Sequence, residues 1–324
     1  MRKPDVDLRG LNALLVEIFG PQQEFTCRRT PTGSSTQVYR VDRGTETFYV
    51  RVAEEEQASL APEAELHRAL HAAGVRVPAV VHYEPFDHTL ARSIMVTTEV
   101  HGAPMSASTP TRAVAEIGRS AGRDLARIHG VPVHGFGWVR REHDRAGWPL
   151  RAEHRTYAEY VDPSAVAGAL AGIGFSTDQV RAIERLLQEA VETGPTAGVG
   201  SVAHGDFDAS HIFENDGSYT GLIDFGEIRG TDYTFDFATL CLNAEEVPPA
   251  GKLLGFVEEG YAEVRALPDD HTRRIYLAGV LSAAHRLSTW YERDGERAFD
   301  GWFFRWIRDC LVGMLESGRV PTAG

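Results

Sequence analysis

Apolar residues recur at helical spacing near the start of the chain and then alternate with polar ones. Residues 6–19 (VDLRGLNALLVEIF) have the helical spacing, and Gly20-Pro21 predicts the end of this leading helix. Residues 36–41 and 47–53 alternate β-branched or aromatic side chains with polar ones, which is typical of half-buried strands. The intervening residues DRGTE favour a turn, so we predict that the two strands pair as an antiparallel hairpin.

Helices become the main predicted element after this hairpin. Residues 61–73 are strong helix formers, with Pro62 in the first turn and Gly74 after the last one. Gly, Pro and Ser interrupt the pattern over residues 101–110, which predicts a domain boundary there. The other predicted elements are a strand at 93–100, helices at 111–129 and 176–193, an irregular loop with a short helix at 131–160, a return to strands at 201–226 and a helical, aromatic region at 234–316.

Composition narrows the class of protein. The chain has 324 residues, 43% of them hydrophobic, with 33 Lys+Arg against 46 Asp+Glu and a net charge of −13. Such a chain can bury a core and is not disordered, and its negative charge disfavours nucleic acids and anionic lipids as partners. The three widely spaced cysteines suggest neither a disulfide framework nor a zinc site. Without a leader-like or membrane-spanning apolar run, we expect a soluble, cytoplasmic protein.

The candidate chemistry is concentrated in residues 201–238 (SVAHGDFDASHIFENDGSYTGLIDFGEIRGTDYTFDFA). Two short β runs, HIFE and YTGLIDF, flank the turn residues NDGS and are predicted to form a hairpin. That pairing brings Asp206, His211 and Asp224 to one end. Asp224 offers the oxygen ligand that Mg²⁺ prefers, and a second, free carboxylate nearby could accept a proton from an attacking hydroxyl. The arrangement is typical of phosphoryl transfer.

This segment resembles the active site of the aminoglycoside phosphotransferase superfamily. The shared features are HGD followed by four residues and His211, then an apolar strand that ends in IDFG at 223–226. The resemblance implies an α+β fold of the protein-kinase-like, two-lobe type. Residues 1–100 would form a small N-terminal lobe with an antiparallel sheet that binds the nucleotide. Residues 101–324 would form a mainly helical C-terminal lobe with the catalytic loop and the acceptor site.

The same resemblance implies roles for single residues in the catalytic segment. Asp206 would be the catalytic base, and Asp224 would bind Mg²⁺ that bridges the nucleotide phosphates. His211 stands where Asn is usual, and since imidazole can also ligate a metal we predict it as a second ligand. The alternative is that His211 only bonds the loop backbone. His204 and Asp236 would support the catalytic loop without transferring protons.

In the N-terminal lobe the resemblance implies a cation that holds the nucleotide phosphates and a Glu that orients this cation. Arg51 stands where Lys is usual, and its planar fork can grip phosphate oxygens. In having Arg at this position, the chain is also similar to hygromycin-type phosphotransferases. Glu63 is the predicted partner of Arg51. Glu65 is the competing choice, and because it points about 200° away around the helix, both cannot face Arg51.

The remaining nucleotide contacts also follow from the resemblance, which covers roughly residues 28–240. ATP or GTP would be the phosphoryl donor, with Mg²⁺ as cofactor. The predicted contacts are Gly33, Ser34 and Ser35 in a loop over the phosphates, and Glu99 and Val100 at the hinge between the lobes, where the adenine ring bonds the backbone.

The acceptor is the part of the reaction that the nucleotide motifs do not identify. Acidic side chains near the active loops favour a cationic, hydroxyl-bearing small molecule such as an aminoglycoside antibiotic. The candidates are Asp208, Glu227 and Asp232, with Glu245 and Glu246 nearby. A solvated acidic face is the plainer interpretation of the same residues.

Other interpretations stay open at this point. The aromatic residues Trp290, Tyr291, Trp302 and Trp306 either wall a pocket for a less polar acceptor, such as a macrolide, or pack in the core. A kinase for a metabolite alcohol or sugar would carry the same motifs. A catalytically silent, nucleotide-binding protein of this fold is a further alternative. Our prediction is a kinase that phosphorylates an aminoglycoside-type acceptor, with hygromycin-like acceptors as a subclass, and so confers antibiotic resistance.

Overall fold

A computed structural model describes residues 5–30, 37–144, 146–243 and 250–321. Its helices are α1 (Leu8–Phe19), α2 (Ala61–Ala72), α3 (Thr111–Ile128), α4 (Tyr157–Val161), α5 (Pro163–Gly172), α6 (Thr177–Thr193), α7 (Thr234–Leu242), α8 (Ala250–Ala262), α9 (His271–Asp294) and α10 (Trp302–Ser317). Its strands are β1 (Thr26–Arg29), β2 (Gln37–Arg43), β3 (Glu46–Val52), β4 (Val80–Asp87), β5 (Arg92–Thr98), β6 (Ala103–Pro104), β7 (Pro132–His134), β8 (Phe136–Val139), β9 (Ala152–His154), β10 (Val199–Ala203), β11 (Ile212–Asn215), β12 (Ser218–Leu222) and β13 (Arg229–Thr231).

The N-terminal region is an antiparallel sheet with two helices. Its five strands run in the order β1-β2-β3-β5-β4. The predicted hairpin is confirmed as β2 and β3, which pair in a register that sets Val38 opposite Arg51. The alternating polarity buries one face, where Val41 and Val50 pack against Leu11 and Leu15 of α1. The leading helix starts slightly later than predicted, after Asp7.

The C-terminal region is mainly helical. α3 packs closely along α8 because Gly122 lies against the backbone of Val257, where any side chain would collide. α9 lies in the middle of this region and buries Leu281 and Leu287. In the described ranges, no helix has the length and apolar character needed to cross a bilayer.

The stretch 131–160 differs from the expectation of an irregular loop with a short helix. It contains β7, β8 and β9 as well as α4. These strands join β10 and β13 in a five-stranded sheet with the order β7-β10-β13-β8-β9. Each is only three or four residues long, and β7 and β8 pair with the distant strands β10 and β13, so local alternation did not reveal them.

The aromatic cluster near the C-terminus is core packing. Trp290 contacts Phe303 with ring centroids 4.9 Å apart, and Phe303 stacks on Trp306. This packing joins α9 to α10 and leaves Trp302 largely exposed on the outside. None of the four candidate aromatics is among the described residues that line the main cleft. The interpretation as core packing is confirmed for Trp290, Tyr291 and Trp306, whereas Trp302 is exposed and contributes neither to the core nor to the described lining of the cleft.

The described fold is α+β, with the antiparallel sheet first and the helical region after it, as the sequence predicts. The boundary at residue 100 remains a prediction. β6, which follows it directly, pairs with β11 and so adds a third strand to the β11–β12 hairpin.

Candidate active site

The catalytic segment forms the predicted hairpin at the bottom of the cleft. β11 and β12 pair with Ile212 opposite Leu222, around a turn at Asp216 and Gly217. A short helical turn ends in His211 directly before β11. The hairpin therefore places the loop that follows β10 beside the loop that follows β12, as the sequence predicts.

Three of the predicted site residues meet at this end of the hairpin. The Nδ1 atom of His211 lies 3.9 Å from Oδ2 of Asp206, and its Nε2 atom lies 3.9 Å from Oδ2 of Asp224. Asp206 and Asp224 thus flank one imidazole ring from opposite sides. Both carboxylates are partly exposed toward the same cleft.

Asp236 anchors the backbone of the loop before Asp206. Its buried carboxylate accepts hydrogen bonds from the backbone N–H of His204 at 2.7 Å and of Gly205 at 2.8 Å. It also accepts one from Nε2 of His129 at 2.9 Å. Burial opposes ionisation, but His129, His204 and the backbone N–H of Gly205, with the hydrogen bond from His129 the strongest of these, outweigh it and lower the pKa of Asp236. The geometry agrees with the supporting role expected for Asp236.

His204 is held as a neutral ring. Its Nδ1 accepts from the backbone N–H of Asp206 at 3.3 Å, so its Nε2 carries the proton and donates to the carbonyl of Ile223 at 2.8 Å. Burial lowers the pKa of His204, which favours the neutral form. Gly205 has a positive φ of 88°, and a Cβ there would overlap the carbonyl oxygen of Glu227. The loop conformation therefore requires glycine at this position.

His211 and Asp224 form the candidate metal-binding pair. The Nδ1 of His211 donates to the backbone carbonyl of Asp206 at 2.7 Å, which leaves Nε2 of the neutral ring as a lone-pair donor toward Asp224. Burial would lower the pKa of His211, but the negative carboxylates of Asp208, Asp206 and Asp224 outweigh the effect of burial, so the pKa is raised. A metal cation bound between Asp224 and Nε2 of His211 would displace the proton that Nε2 carries when the ring is charged. The donor set of carboxylate and imidazole therefore fits a divalent metal ion.

Arg51 reaches this pair from the sheet above. Its Nη1 atom lies 3.1 Å from Oδ1 of Asp224, and its Nε atom lies 3.3 Å from Oε2 of the buried Glu63. Desolvation by the surrounding protein opposes the charge of Asp224, but Arg51 outweighs it and the pKa of Asp224 falls to about 2. Glu65, the competing partner, is exposed and pairs with Arg68 at 2.6 Å. Helix α2 therefore turns Glu63, not Glu65, toward Arg51.

Arg141 completes this network, and nothing in the sequence pattern singled it out. It lies just after β8 and forms a short ion pair with Glu63. Its second terminal nitrogen donates to the carbonyl of Gly226 at 2.9 Å. Burial opposes the charge of Glu63, but Arg51 and Arg141 outweigh it and lower its pKa. The only signal in the sequence is a pair of arginines after GFGW, which is too common to assign a role.

A column of rings connects the catalytic loop to α2. The ring of Phe225 lies 4.6 Å from that of His204 and 5.0 Å from that of His67, measured between centroids. His67 is one helical turn after Glu63, and its Nδ1 bonds the carbonyl of Pro78 at 2.9 Å. Burial lowers the pKa of His67 to about 4, so the ring is neutral near pH 7. Phe225 thus packs between the catalytic loop and the helix α2 that carries Glu63.

Asp206, His211, Asp224 and Arg51 line one cleft of about 1250 Å³ between the sheet and the helical region. Val100 lines it, whereas the carboxylate of Glu99 pairs with Arg40 at 3.3 Å. The predicted phosphate loop of Gly33, Ser34 and Ser35, together with Glu245 and Glu246, lies outside the described residues. The described lining includes Arg28, Arg40, Arg51, Val38, Met95, Thr97, Val100, Phe213, Ile223, Asp206, His211, Asp224 and Glu227.

Two of the three predicted acceptor carboxylates do not face this cleft. Asp208 is buried and accepts from the backbone N–H and hydroxyl of Ser210 at 2.7 and 2.6 Å, and from Asn243 at 3.1 Å. Asp232 accepts in the same manner from the backbone N–H of Thr234 at 3.0 Å, at the start of α7. Their oxygens are used within the protein, because each aspartate caps the backbone two residues further on.

Glu227 is the predicted acceptor residue that does line the cleft. Its carboxylate pairs with Arg229 at 3.1 Å and is partly exposed. Burial raises the pKa of Glu227, Arg229 opposes the rise, and the negative charge of Asp206 adds to it. The guanidinium of Arg229 in turn lies 4.1 Å from the ring centre of the exposed Trp138. Sequence reasoning missed Arg229 and Trp138, which neighbour each other through the β13–β8 pairing.

The chain belongs to the phosphotransferase enzyme family (APH), whose family model matches residues 26–276. The protein is therefore a phosphotransferase of the kinase type, and its fold is the protein-kinase-like, two-lobe fold that the sequence predicts. No curated protein matches the chain in a sequence comparison.

Solved structures of similar fold cover nearly the whole chain. A thermostable mutant of aminoglycoside phosphotransferase APH(4)-Ia in complex with ADP and hygromycin B has a TM-score of 0.69 at 16% identity, over 95% of this chain and 99% of that one. A candidate aminoglycoside phosphotransferase from Ralstonia eutropha JMP134 has 0.67 at 15%, over 97% of both chains. A candidate fructosamine-3-kinase from Thermobifida fusca has 0.57 at 20%, over 94% of this chain and 96% of that one.

Proposed function

We propose that the chain transfers the γ-phosphoryl group of ATP or GTP to a hydroxyl group of a small molecule. The observation that carries this proposal is that Asp206 and Asp224 open on one cleft from opposite sides of His211, with Arg51 on Asp224. Phosphoryl transfer needs a base for the hydroxyl, a metal ligand and a cation for the phosphates, and these side chains supply all three. Because nucleoside triphosphates are the donors, we place the reaction in the cytoplasm.

The nucleotide would occupy the side of the cleft formed by the sheet. Its base would lie among the apolar residues Val38 and Met95, near the hinge residues Glu99 and Val100. Its phosphates would lie beside Arg51, and Gly33, Ser34 and Ser35 remain the contacts that the sequence predicts for them.

Asp224 and His211 would hold Mg²⁺ at the phosphates. Bound there, the ion would neutralise part of the charge that the phosphates carry during transfer. Arg51 lies close enough to Asp224 to contact the same phosphate oxygens. Glu63 orients Arg51 from within the lobe, because its buried carboxylate faces the guanidinium.

Asp206 would act as the general base. As the acceptor oxygen forms its bond to the γ-phosphorus, the hydroxyl proton passes to the carboxylate of Asp206. The bond from the γ-phosphorus to the bridging oxygen breaks, and the nucleoside diphosphate leaves with that electron pair. The backbone around Asp206 is fixed by Asp236 and His204, so the carboxylate is oriented before the acceptor binds.

For the acceptor we propose an aminoglycoside-type antibiotic, with hygromycin-like compounds as a subclass, so that the activity would confer resistance. Glu227 supports this choice, because it is a carboxylate that lines the cleft near Asp206 and could bind an ammonium group. The structural neighbour that was solved with hygromycin B and ADP supports it at the level of the fold. Asp208 and Asp232 are not part of this proposal, since their oxygens are already bonded.

A kinase for a metabolite alcohol or sugar is the second candidate. The likeness to a candidate fructosamine-3-kinase favours it, at a somewhat higher identity than the antibiotic kinases. A macrolide acceptor has less support, because the aromatic cluster packs in the core. A silent nucleotide-binding protein would have no use for both Asp206 and Asp224 in the geometry described.

The experiment is nucleotide consumption by the purified protein with Mg²⁺, with ATP and GTP offered separately. The acceptor panel contains aminoglycosides, hygromycin B, macrolides, amino alcohols and glycated amines. Asp206→Asn is the blank, and Glu65→Gln is the matched control, because Glu65 is an exposed carboxylate on the same helix as Glu63. Turnover that needs an acceptor and is lost only in the blank supports the proposal and identifies the substrate class. Nucleotide binding without turnover on any acceptor counts against it.

A further inference from the structure

The side chain of Arg141 connects three parts of the site that lie far apart along the sequence. Its ion pair with Glu63 joins the helical region to α2 in the N-terminal lobe. Its bond to the carbonyl of Gly226 joins the same guanidinium to the loop that begins with Asp224. Through Glu63 it also reaches Arg51 on β3.

The backbone around Arg141 is fixed to the residues just before α2. The carbonyl of Arg141 accepts from the backbone N–H of Ser59 at 2.6 Å, and Ala58 forms a β-bridge with Glu142. The ring of His143 bonds the carbonyl of Glu56 at 3.1 Å. This strip of contacts, which we call the Arg141 strip (residues 56–59 with 141–143), joins the two lobes in addition to the hinge near Val100.

The charges show why Arg141 matters to Arg51. Glu63 is almost fully buried, with 1% of its side chain exposed, and its carboxylate faces two guanidinium groups. Among the described residues, Arg141 alone donates a hydrogen bond to this carboxylate, whereas Nε of Arg51 and Oε2 of Glu63 are buried without a hydrogen-bond partner there. Arg141 thus binds one oxygen of Glu63, while Arg51 faces the other oxygen with its Nε and bonds Asp224 with its Nη1.

We propose that Arg141 is a positioning residue for phosphoryl transfer, an inference that rests on the proposed function. It holds Glu63 and the Gly226 carbonyl in one geometry, and so sets Arg51 and Asp224 relative to each other. The Arg141 strip makes this geometry conditional on the contact between the lobes. If the lobes separate at the Arg141 strip, the guanidinium of Arg141 moves away from Glu63. Of the two arginines beside the Glu63 carboxylate, Arg51 is then the one that stays.

A merely structural ion pair would have a different signature. It would contribute to the stability of the lobe contact, and its loss would lower the melting temperature without changing how the protein uses Mg²⁺. A positioning role makes the opposite prediction, because the metal ligand Asp224 is two residues from the carbonyl that Arg141 holds. Partners that orient metal ligands typically change affinity or activity by about 10- to 100-fold when removed.

The test compares Arg141→Gln with Arg140→Gln. Arg140 is the matched control, because it bonds the carbonyls of Ala152 and Glu153 and the side chain of Glu142, all within the helical lobe. We expect Arg141→Gln to lower kcat about tenfold or more and to raise the half-saturating Mg²⁺ concentration, with the acceptor KM nearly unchanged. Arg140→Gln should keep wild-type values of both. Unchanged kcat and Mg²⁺ dependence in Arg141→Gln, with a lower melting temperature alone, would overturn the proposal.

Arg141→Lys keeps the test decisive if the glutamine variant does not fold. Lysine retains the charge that Glu63 needs, but its single ammonium group lacks the fork that bonds Glu63 and Gly226 together. We expect a melting temperature close to wild type, with kcat several-fold lower and a higher Mg²⁺ requirement. Wild-type kinetics in this variant would refute the two-partner role.

Failure of the proposed function would be seen separately. If wild-type protein turns over no acceptor, the proposed function fails, and the inference is then decided by nucleotide binding alone. In that case titration of ATP at increasing Mg²⁺ should show weaker Mg²⁺-dependent binding in Arg141→Gln than in wild type and Arg140→Gln. Equal binding in all three proteins would overturn the inference.

Discussion

The two sides of the cleft carry opposite charge. On the side formed by the sheet, Arg28, Arg40 and Arg51 line the cavity, whereas Asp206 and Glu227 line it on the helical side. A net charge of −13 for the whole chain hides this division. An acidic chain can therefore still present a basic face to a polyphosphate, because the electrostatic potential in a cleft is set by the charged residues that line it.

The two sides also differ in how their charges are balanced. Arg28 pairs with Asp42 at 3.3 Å and Arg40 with the same carboxylate at 2.8 Å, both within the sheet. On the helical side, burial and the charge of Asp206 raise the pKa of Glu227, although Arg229 opposes this. Each side is therefore partly balanced by a partner of opposite charge, Asp42 for Arg28 and Arg40 and Arg229 for Glu227, and a cationic acceptor would relieve the repulsion between Glu227 and Asp206 that is left.

The largest expected effect is on the acidic side, at Asp206. Asp206→Asn removes the proposed base, and we expect acceptor-dependent kcat to fall by about 10²- to 10⁴-fold, with nucleotide binding kept. Steady-state kinetics and nucleotide titration measure the two quantities. Glu65→Gln should match wild type in both. Near wild-type rates in Asp206→Asn would show that this carboxylate is not the base.

A smaller effect is expected on the basic side, at Arg51. Arg51→Lys keeps the charge but not the fork that lies against both Glu63 and Asp224, so the nucleotide KM should rise about tenfold. Arg68→Lys is the matched control, because Arg68 is an exposed arginine of the same lobe that pairs with Glu65 and is not among the described residues that line the cleft. An unchanged nucleotide KM in Arg51→Lys would remove the reason to assign the phosphates to this side.

His211 sits between the two sides and should give a pH-dependent effect. Its raised pKa keeps the ring protonated to a higher pH than usual, and a protonated ring cannot bind a metal. Mg²⁺ binding should therefore weaken as the pH falls through that raised pKa. In His211→Asn the amide can bond the Asp206 carbonyl and face the metal, so kcat should change only a few-fold. A Mg²⁺ requirement with the same pH dependence in both proteins would contradict the assignment.

The smallest effect concerns stability, at His67 in the N-terminal lobe and at the half-buried His285 in the helical lobe. Burial lowers the pKa of His67 and of His285 to about 4, from an unfolded value near 6.5. The unfolded chain binds protons first as the pH falls, so stability is lost between pH 6.5 and 4. We expect the melting temperature to drop by a few degrees from pH 7 to pH 5. His285→Gln should reduce this drop in melting temperature. If the melting temperature of His285→Gln depends on pH as that of wild type does, His285 does not contribute to the drop.

The sequence predicted those parts of the site that depend on local signals. The turn NDGS between two short β runs was enough to predict the hairpin and the meeting of Asp206, His211 and Asp224. The resemblance favoured Glu63 over the competing Glu65, and the structure places Glu63 beside Arg51 and Glu65 beside Arg68.

Long-range pairing is what the sequence could not supply. Trp138 neighbours Arg229, and Arg141 reaches Glu63, through contacts between segments about 80 to 90 residues apart. For Asp208 and Asp232 a local signal existed but was not used. Each has a hydroxyl residue two positions later, Ser210 and Thr234, which is typical of a capping aspartate and not of a ligand-binding one.

The close contact at Gly205 limits how this site can diversify. The backbone before Asp206 lies directly against the backbone of Glu227, with no space for even a methyl group between them. The segment that carries the proposed base and the segment that faces the acceptor are thus in close backbone contact, and neither can move far without the other. A lineage that adapts to a new acceptor can exchange side chains around Glu227, but it cannot insert or re-route that segment without displacing Asp206.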